Sequence, residues 1–199
     1  MDIKNELNKN GFRFQKRFGQ NFITDKNFLK SIVEKSGVTP DDTVVEIGAG
    51  AGTLTAAIAE KAKRVIAFEI DTSLEPVLKN TLSEFDNVEL IFGDFMQAKD
   101  VSETACGDYK VIANLPYYIT TPVLFKLMED TAVLPKTISV MVQKEVADRM
   151  CAKPSTKDYG ALTVAIDARF SVKKLVNVSR DMFYPVPNVD SAVVLMTAK

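Results

Sequence analysis

Five short runs of β-branched and apolar residues recur along the chain: Thr43–Gly48, Arg64–Ile70, Val88–Phe92, Tyr109–Asn114 and Thr137–Val142. Each suits a strand buried on both faces. Between them, Leu54–Lys61, Thr72–Phe85, Thr121–Glu129 and Gln143–Met150 repeat their apolar positions at the helical period, with start signals at Asp71-Thr72 and Thr120-Thr121. Strand and helix patterns that alternate in this way predict βαβ units and a parallel sheet with helices on both faces. The tail breaks the pattern. Ala161–Val172 and Ser191–Thr197 are strand-like with no long helical pattern between them, so they are expected to pair antiparallel at one edge. The expected sheet therefore has seven strands, five of them parallel, followed by a terminal hairpin. Lys153–Asp158 and Phe183–Asn188 are expected to be loops from their Pro and polar content, and no internal repeat is present.

Composition narrows the chemistry more than it narrows the fold. The chain has 199 residues, 46% apolar and 26% charged, enough to bury a core in one domain. It contains no histidine, which excludes Ser-His-Asp and Cys-His nucleophiles and histidine-ligated metals, and no metal site is expected. Cys106 and Cys151 are its only cysteines, too few for a four-thiolate zinc site or a disulfide framework, and a reducing cytoplasmic compartment fits. No apolar run approaches the ~18 residues of a membrane span, and the charged amino end does not read as an export signal.

Charge is uneven. Residues 1–35 carry eight basic and four acidic side chains, a net +4, whereas the remainder carries 17 basic and 22 acidic, a net −5. The division expected from this is a basic amino-terminal arm over 1–35, packing on a catalytic domain over 36–199. Phe12, Phe14, Phe18 and Phe22 are interleaved in that arm. Such a segment can meet a phosphate backbone and stack on bases, or its phenylalanines can pack on the core, and both readings stand at different residues.

The segment Glu46-Ile47-Gly48-Ala49-Gly50-Ala51-Gly52 follows the first strand and opens a helix, where a doubly wound sheet holds a nucleoside cofactor. Glycine is expected there because a side chain would collide with the ligand. A dinucleotide fingerprint requires G-x-G-x-x-G, but the sixth position is Thr53 counted from Gly48 and Thr55 counted from Gly50, which weakens a pyrophosphate reading. The acidic residue before G-x-G-x-G instead resembles the S-adenosylmethionine turn of class I methyltransferases. Glu69 ends the second strand, where a carboxylate can accept both ribose hydroxyls; Asp71 is the alternative, with a helix cap its plainer role. Asp94 follows the third strand and suits the amino group of an adenine, or else caps a turn.

Asn114-Leu115-Pro116-Tyr117 follows the fourth strand. An exocyclic amine that attacks a methyl sulfonium needs its lone pair freed from ring conjugation and aimed along the S–CH3 bond. The Asn114 side-chain oxygen and the Leu115 backbone carbonyl can each accept one N–H of that amine, Pro116 stiffens the turn, and Tyr117 offers a ring for the base. No strong general base is required, in keeping with the absence of histidine. The plainer alternative is a Pro-containing turn with Tyr117 in the core.

Four segments carry a resemblance: Phe18-Gly19-Gln20-Asn21-Phe22, the glycine loop, Asn114 to Pro122, and Phe183-Tyr184-Pro185-Val186-Pro187-Asn188-Val189-Asp190-Ser191. Together they resemble the ribosomal RNA adenine dimethyltransferase family, in its ribosome-assembly branch. The resemblance implies a Rossmann-like class I methyltransferase fold. It implies transfer of two methyl groups from S-adenosylmethionine to N6 of each of two adjacent adenosines, in the 3′-terminal hairpin of small-subunit (16S) ribosomal RNA. The implied partner is an immature small subunit and the implied state a cytoplasmic monomer. By position it places Asn21, Ile23, Gly48, Gly50, Glu69, Asp94 and Asn114 on the cofactor. Asn114, Leu115, Tyr117 and Phe183 fall at the target base, with Phe183 on the face opposite Tyr117. A swung-out base costs a few kcal/mol, and aromatic faces can return ~1–3 kcal/mol. Family members continue past the Ser191 strand into a small helical domain, so this chain is expected to be the catalytic domain without it, with weak and salt-sensitive RNA binding. The rivals are the large-subunit (23S) antibiotic-resistance methylases, a non-catalytic binding module, and a nicotinamide dehydrogenase.

Overall fold

The structure is a computed structural model that describes residues 3–15 and 18–199. Lys16 and Arg17, which supply part of the arm's positive charge, lie outside the described residues.

Five strands form the parallel part of the sheet: β2 (Thr43–Ile47), β3 (Arg64–Glu69), β4 (Val88–Phe92), β5 (Lys110–Asn114) and β6 (Thr137–Gln143). The apolar runs foretold each to within a residue or two. Two antiparallel strands, β7 (Phe170–Val178) and β9 (Ser191–Ala198), complete a seven-stranded sheet in the order β4-β3-β2-β5-β6-β9-β7. β9 lies between β6 and β7, so the terminal pair extends the sheet beyond β6.

The helices α3 (Thr53–Ala59), α4 (Glu75–Thr81), α6 (Thr120–Glu129) and α7 (Lys144–Met150) occupy the four predicted helical segments. Asp71 starts the second of these, accepting from Ser73 N at 3.1 Å, and a 3-10 turn over Thr72–Leu74 leads into α4. Thr120 does not cap α6. Its hydroxyl lies 3.4 Å from the Pro116 carbonyl, and the residue before the helix offers no side-chain cap.

The tail departs from expectation. Ala161–Asp167 is a helix, α8, and β7 begins only at Phe170. Leu162, Thr163 and Ile166 are buried at helical spacing, and the Thr163 hydroxyl accepts from the Gly160 amide at 3.2 Å while donating to Arg149 O at 2.7 Å. A seven-residue run rich in β-branched residues satisfies either period, and here docking on α7 decides.

Short elements escaped the pattern as well: α1 (Ile3–Lys9), α2 (Lys26–Lys35) and α5 (Val101–Ala105). α2 is locally well specified. Asp25 accepts from the amides of Asn27 and Phe28, Leu29, Ile32 and Val33 are buried on one face, and Gly37 closes the end at φ +72. A second, two-stranded sheet pairs β1 (Phe22–Ile23) with β8 (Phe183–Tyr184), so the segment expected to be a loop from Phe183 begins as a strand against the arm.

The sheet carries one apolar cluster on each face. Val44, Val65, Ala67 and Ile112 pack with α2, α3 and α4, and Val45, Ile47, Ile66 and Val111 with α5, α6, α7 and α8. Alternation along the strands then assigns Glu46, Glu69 and Asn114 to the first face, the one that the arm also covers. The order reverses direction at β2, with β3 on one side and β5 on the other, which opens a crevice at the carboxyl ends of these strands.

Candidate active site

A cavity of about 330 Å³ occupies that crevice. It is lined by every residue that the resemblance places at the site, Asn21, Ile23, Gly48, Gly50, Glu69, Asp94, Asn114, Leu115, Tyr117 and Phe183, whereas Asp71, the alternative to Glu69, is not among its lining residues. The glycine turn is its floor. Gly48 and Ala49 donate to the Phe68 carbonyl at 2.8 and 2.9 Å, which holds the turn against the end of β3.

Glycine is required at two positions for different reasons. Gly48 sits at φ +81 and faces open space, its nearest neighbour being the Asn114 carbonyl at 4.0 Å from a built Cβ. Gly50, at φ +57, is crowded by the protein itself: a Cβ there would stand 2.7 Å from Cε1 of Phe22. The expected collision with a ligand is thus, at Gly50, a collision with the arm.

Glu69 is buried, and its carboxylate bridges two backbone amides, Gly50 N at 2.6 Å and Asp71 N at 2.8 Å. Burial raises its pKa, while these amides pull the other way. Each oxygen keeps lone-pair capacity for a hydroxyl. Asp94 is exposed at the rim and caps a 3-10 turn by accepting from Met96 N at 2.9 Å, so it is both a cap and a lining residue.

Glu46 was quoted within the glycine motif without a role of its own. It is fully buried, borders the cavity, and neither carboxyl oxygen has a hydrogen-bond partner. Burial pushes its pKa up to about 8, with the neighbouring Thr55 hydroxyl pulling it down and the Glu69 carboxylate pushing it further up. An acidic residue inside an apolar strand is the signal that could have marked it. With the Glu69 and Asp94 carboxyl groups at the cavity, Glu46 holding its proton, and no Lys or Arg among the described lining residues, the cavity suits a cationic nucleoside better than a pyrophosphate.

The arm closes the site from above. Asp71, 3% exposed, accepts from Gln15 Nε2 at 3.1 Å and Gln20 Nε2 at 2.7 Å, besides capping its own turn. The Ile23 carbonyl accepts from the Thr53 hydroxyl at 2.9 Å. Phe12, Phe14 and Phe22 form a ring cluster that reaches Tyr184 and packs on the core, with centroids 5.3 to 6.3 Å apart. These three are therefore not platforms for bases. Phe18 borders the cavity.

At the other wall, Asn114 donates from Nδ2 to the Asn21 carbonyl at 2.9 Å, which fixes the amide orientation, and among the described residues no donor reaches its Oδ1. Leu115 anchors the corner with a side chain 1% exposed, and its carbonyl accepts no hydrogen bond from the described residues. Tyr117 shares a 3.1 Å hydrogen bond with the buried Ser191 hydroxyl, so the plainer reading of a core tyrosine fails: the hydroxyl is tethered while the residue borders the cavity. Ser191 lies 74 positions away, beyond the reach of any spacing rule. Phe183 is 4% exposed on β8, paired with Ile23, and its ring does not touch that of Tyr117. Among the described residues no helix is long and apolar enough to cross a membrane.

A family model described as ribosomal RNA adenine dimethylase matches residues 11–199. Ribosomal RNA small subunit methyltransferase A of Bacillus licheniformis is 49% identical over 201 aligned positions, covering 98% of this chain and 68% of its own length. The protein of the same name from Thermotoga petrophila is 48% identical over 199 positions, covering 100% of this chain and 74% of its own. Among solved structures, a dimethyladenosine transferase from Plasmodium falciparum superposes with a TM-score of 0.79 at 32% identity, over 89% of this chain and 63% of that one. The 23S rRNA methyltransferase ErmE gives 0.76 at 30% identity, over 89% and 70%. The chain spans about two thirds of the length of the relatives it matches.

Proposed function

The chain belongs to the ribosomal RNA adenine dimethylase family, and we propose that it transfers two methyl groups from S-adenosylmethionine to N6 of each of two adjacent adenosines in the 3′-terminal hairpin of small-subunit ribosomal RNA. The substrate is an immature small subunit in the cytoplasm, and the enzyme acts on it as a monomer. The observation that carries this reading is the cavity itself: three carboxyl groups, no cationic side chain among the described lining residues, and the Asn114 corner in one crevice.

S-adenosylmethionine, when bound, supplies a sulfonium methyl group open to attack by an amine lone pair. Glu69 accepts the ribose hydroxyls, Asp94 accepts from the adenine amino group, and the backbone of Asn21, Ile23, Gly48 and Gly50 shapes the remaining wall. The unpartnered Glu46 carboxyl, protonated in the free protein, would release its proton to solvent and face the positive end of such a donor as a carboxylate.

On the acceptor side, Asn114 Oδ1 and the Leu115 carbonyl each take one N–H of the target amine. The nitrogen lone pair is thereby turned out of conjugation and toward the donor half of the cavity. Tyr117 supports the flipped base, with its ring steadied through Ser191, and Phe183 covers the other face. The methylated nitrogen is acidic and its proton passes to water, so no general base is called for. Asn114 is small enough beside the amine to admit a nitrogen that already bears one methyl group.

Relatives at 44 to 49% identity bear the small-subunit name, which favours this substrate over the large-subunit one. The test is incorporation of labelled methyl groups, expected into immature small subunits and not into naked large-subunit RNA. Calorimetry against S-adenosylmethionine and NAD completes it. Preference for NAD would return the dehydrogenase reading, and donor binding without transfer would leave a binding module.

A further inference from the structure

The motif ends in two consecutive tyrosines with different surroundings. Tyr117 is tied back to Ser191, whereas Tyr118 is 58% exposed, the most exposed large apolar side chain among the described residues, and still borders the cavity. Its ring lies against the arm: a Cβ built on Gly19 would stand 3.6 Å from Tyr118 Cε1 and 3.5 Å from Pro116 Cβ. Gly19 itself is left-handed at φ +56, so its backbone meets the ring with no side chain between them. The Tyr118 hydroxyl is raised in pKa by burial and then by the Asp94 and Glu69 carboxylates, which locates it near the nucleoside half of the cavity. Ile70, 43% exposed, also borders that half.

We propose that Tyr118 is a gate on the donor half of the cavity: its ring, seated on Gly19 of the arm, closes over the bound nucleoside and slows the release of the donor and its demethylated product, so that both bind more tightly. The proposal rests on the reading that this cavity takes S-adenosylmethionine. Dimethylation of two adenosines consumes four donors per RNA, so exchange at this rim recurs throughout a single encounter. Tyr117, which faces the base, and Tyr118, which faces the donor, then divide the two tasks. Tyr118 is a positioning residue and takes no part in aligning the target amine.

The test compares the wild-type chain with Tyr118→Ala and Tyr118→Phe. Calorimetry gives the dissociation constants of S-adenosylmethionine and S-adenosylhomocysteine, and methyl incorporation into immature small subunits gives donor KM and kcat separately. Tyr118→Ala is expected to raise both dissociation constants and the donor KM about tenfold, with kcat at saturating donor within about threefold. Tyr118→Phe, which keeps the ring, is expected to restore donor affinity to within about twofold of wild type. Unchanged donor affinity in Tyr118→Ala, or a fall in kcat at constant donor KM, would overturn the gate. If Tyr118→Ala fails to fold by circular dichroism, Tyr118→Leu carries the same comparison. Failure of the wild-type chain to bind the donor at all would instead strike the functional reading on which the gate depends.

Discussion

The Asn114 side chain donates through Nδ2 to the backbone carbonyl of Asn21, 2.9 Å away and 93 positions earlier in the chain. The arm therefore sets which atom of the amide faces the cavity, leaving Oδ1 as the acceptor that the proposed alignment offers to the target amine. Asn114→Ala removes that acceptor while leaving the donor half built. Methyl transfer is expected to fall at least a hundredfold, the order seen when a transition-state hydrogen bond is lost, or about 3 kcal/mol. Donor affinity should stay within about tenfold, or ~1.4 kcal/mol. Single-turnover incorporation and calorimetry check the two halves, and full activity in the variant would refute the amine alignment.

Glu69 joins the glycine turn to the start of the next helical segment through the amides of Gly50 and Asp71. Glu69→Ala strips the acceptor from two backbone donors, each worth about 1–3 kcal/mol if left unsatisfied. The variant should lose stability in urea denaturation and at least about tenfold in donor affinity. A titration indistinguishable from wild type would take Glu69 off the ribose.

Gly50→Ala should displace the arm. The new Cβ would be 2.7 Å from the Phe22 ring at a backbone φ of +57, so strain and collision act together. The expected loss is about 2 kcal/mol or more in denaturant unfolding. Combining it with Phe22→Ala removes the obstacle but not the backbone strain. The double variant should therefore lose less than the sum of the two single losses, and strict additivity would show that the clash is not what matters.

Glu46 makes stability depend on pH. Its pKa is raised from 4.5 to about 8, so the folded state holds the proton more tightly than the unfolded chain does. The resulting stabilisation is fully present below 4.5 and is lost as the pH rises through about 8, with a slope of up to ~1.4 kcal/mol per pH unit. Unliganded protein should resist urea better at pH 5 than at pH 8. Glu46→Gln should flatten most of that dependence, leaving a smaller slope from Glu69, which is shifted the same way. An unaltered pH profile in the variant would assign the effect elsewhere.

Much of the site was legible because it is built from strand ends. The residue after a buried parallel strand must emerge at the sheet's carboxyl edge, and Gly48, Glu69, Asp94 and Asn114 all end or follow such strands. Local chemistry also sufficed for the Asp71 cap and the unusual glycine spacing. Ala161–Asp167 departs from the strand expectation because its five apolar residues fit two periods at once, and only packing against α7 and β7 separates them. The latch from Gln15 and Gln20 to Asp71 and the tether from Tyr117 to Ser191 had no local signature at all.

What the sequence determined by itself is the alternation of buried strands and amphipathic helices, the exclusion of histidine chemistry, and the identity of the residues at the strand ends. Those follow from side-chain period and composition, properties of neighbours in the chain. Tertiary structure alone decided that the arm's phenylalanines are core rather than base platforms, that Gly50 is small to accommodate Phe22, and that Glu46 is buried without a partner beside the cavity. Each of these depends on which distant surface arrives at a given side chain, and packing, desolvation and hydrogen bonding are fixed only when it does.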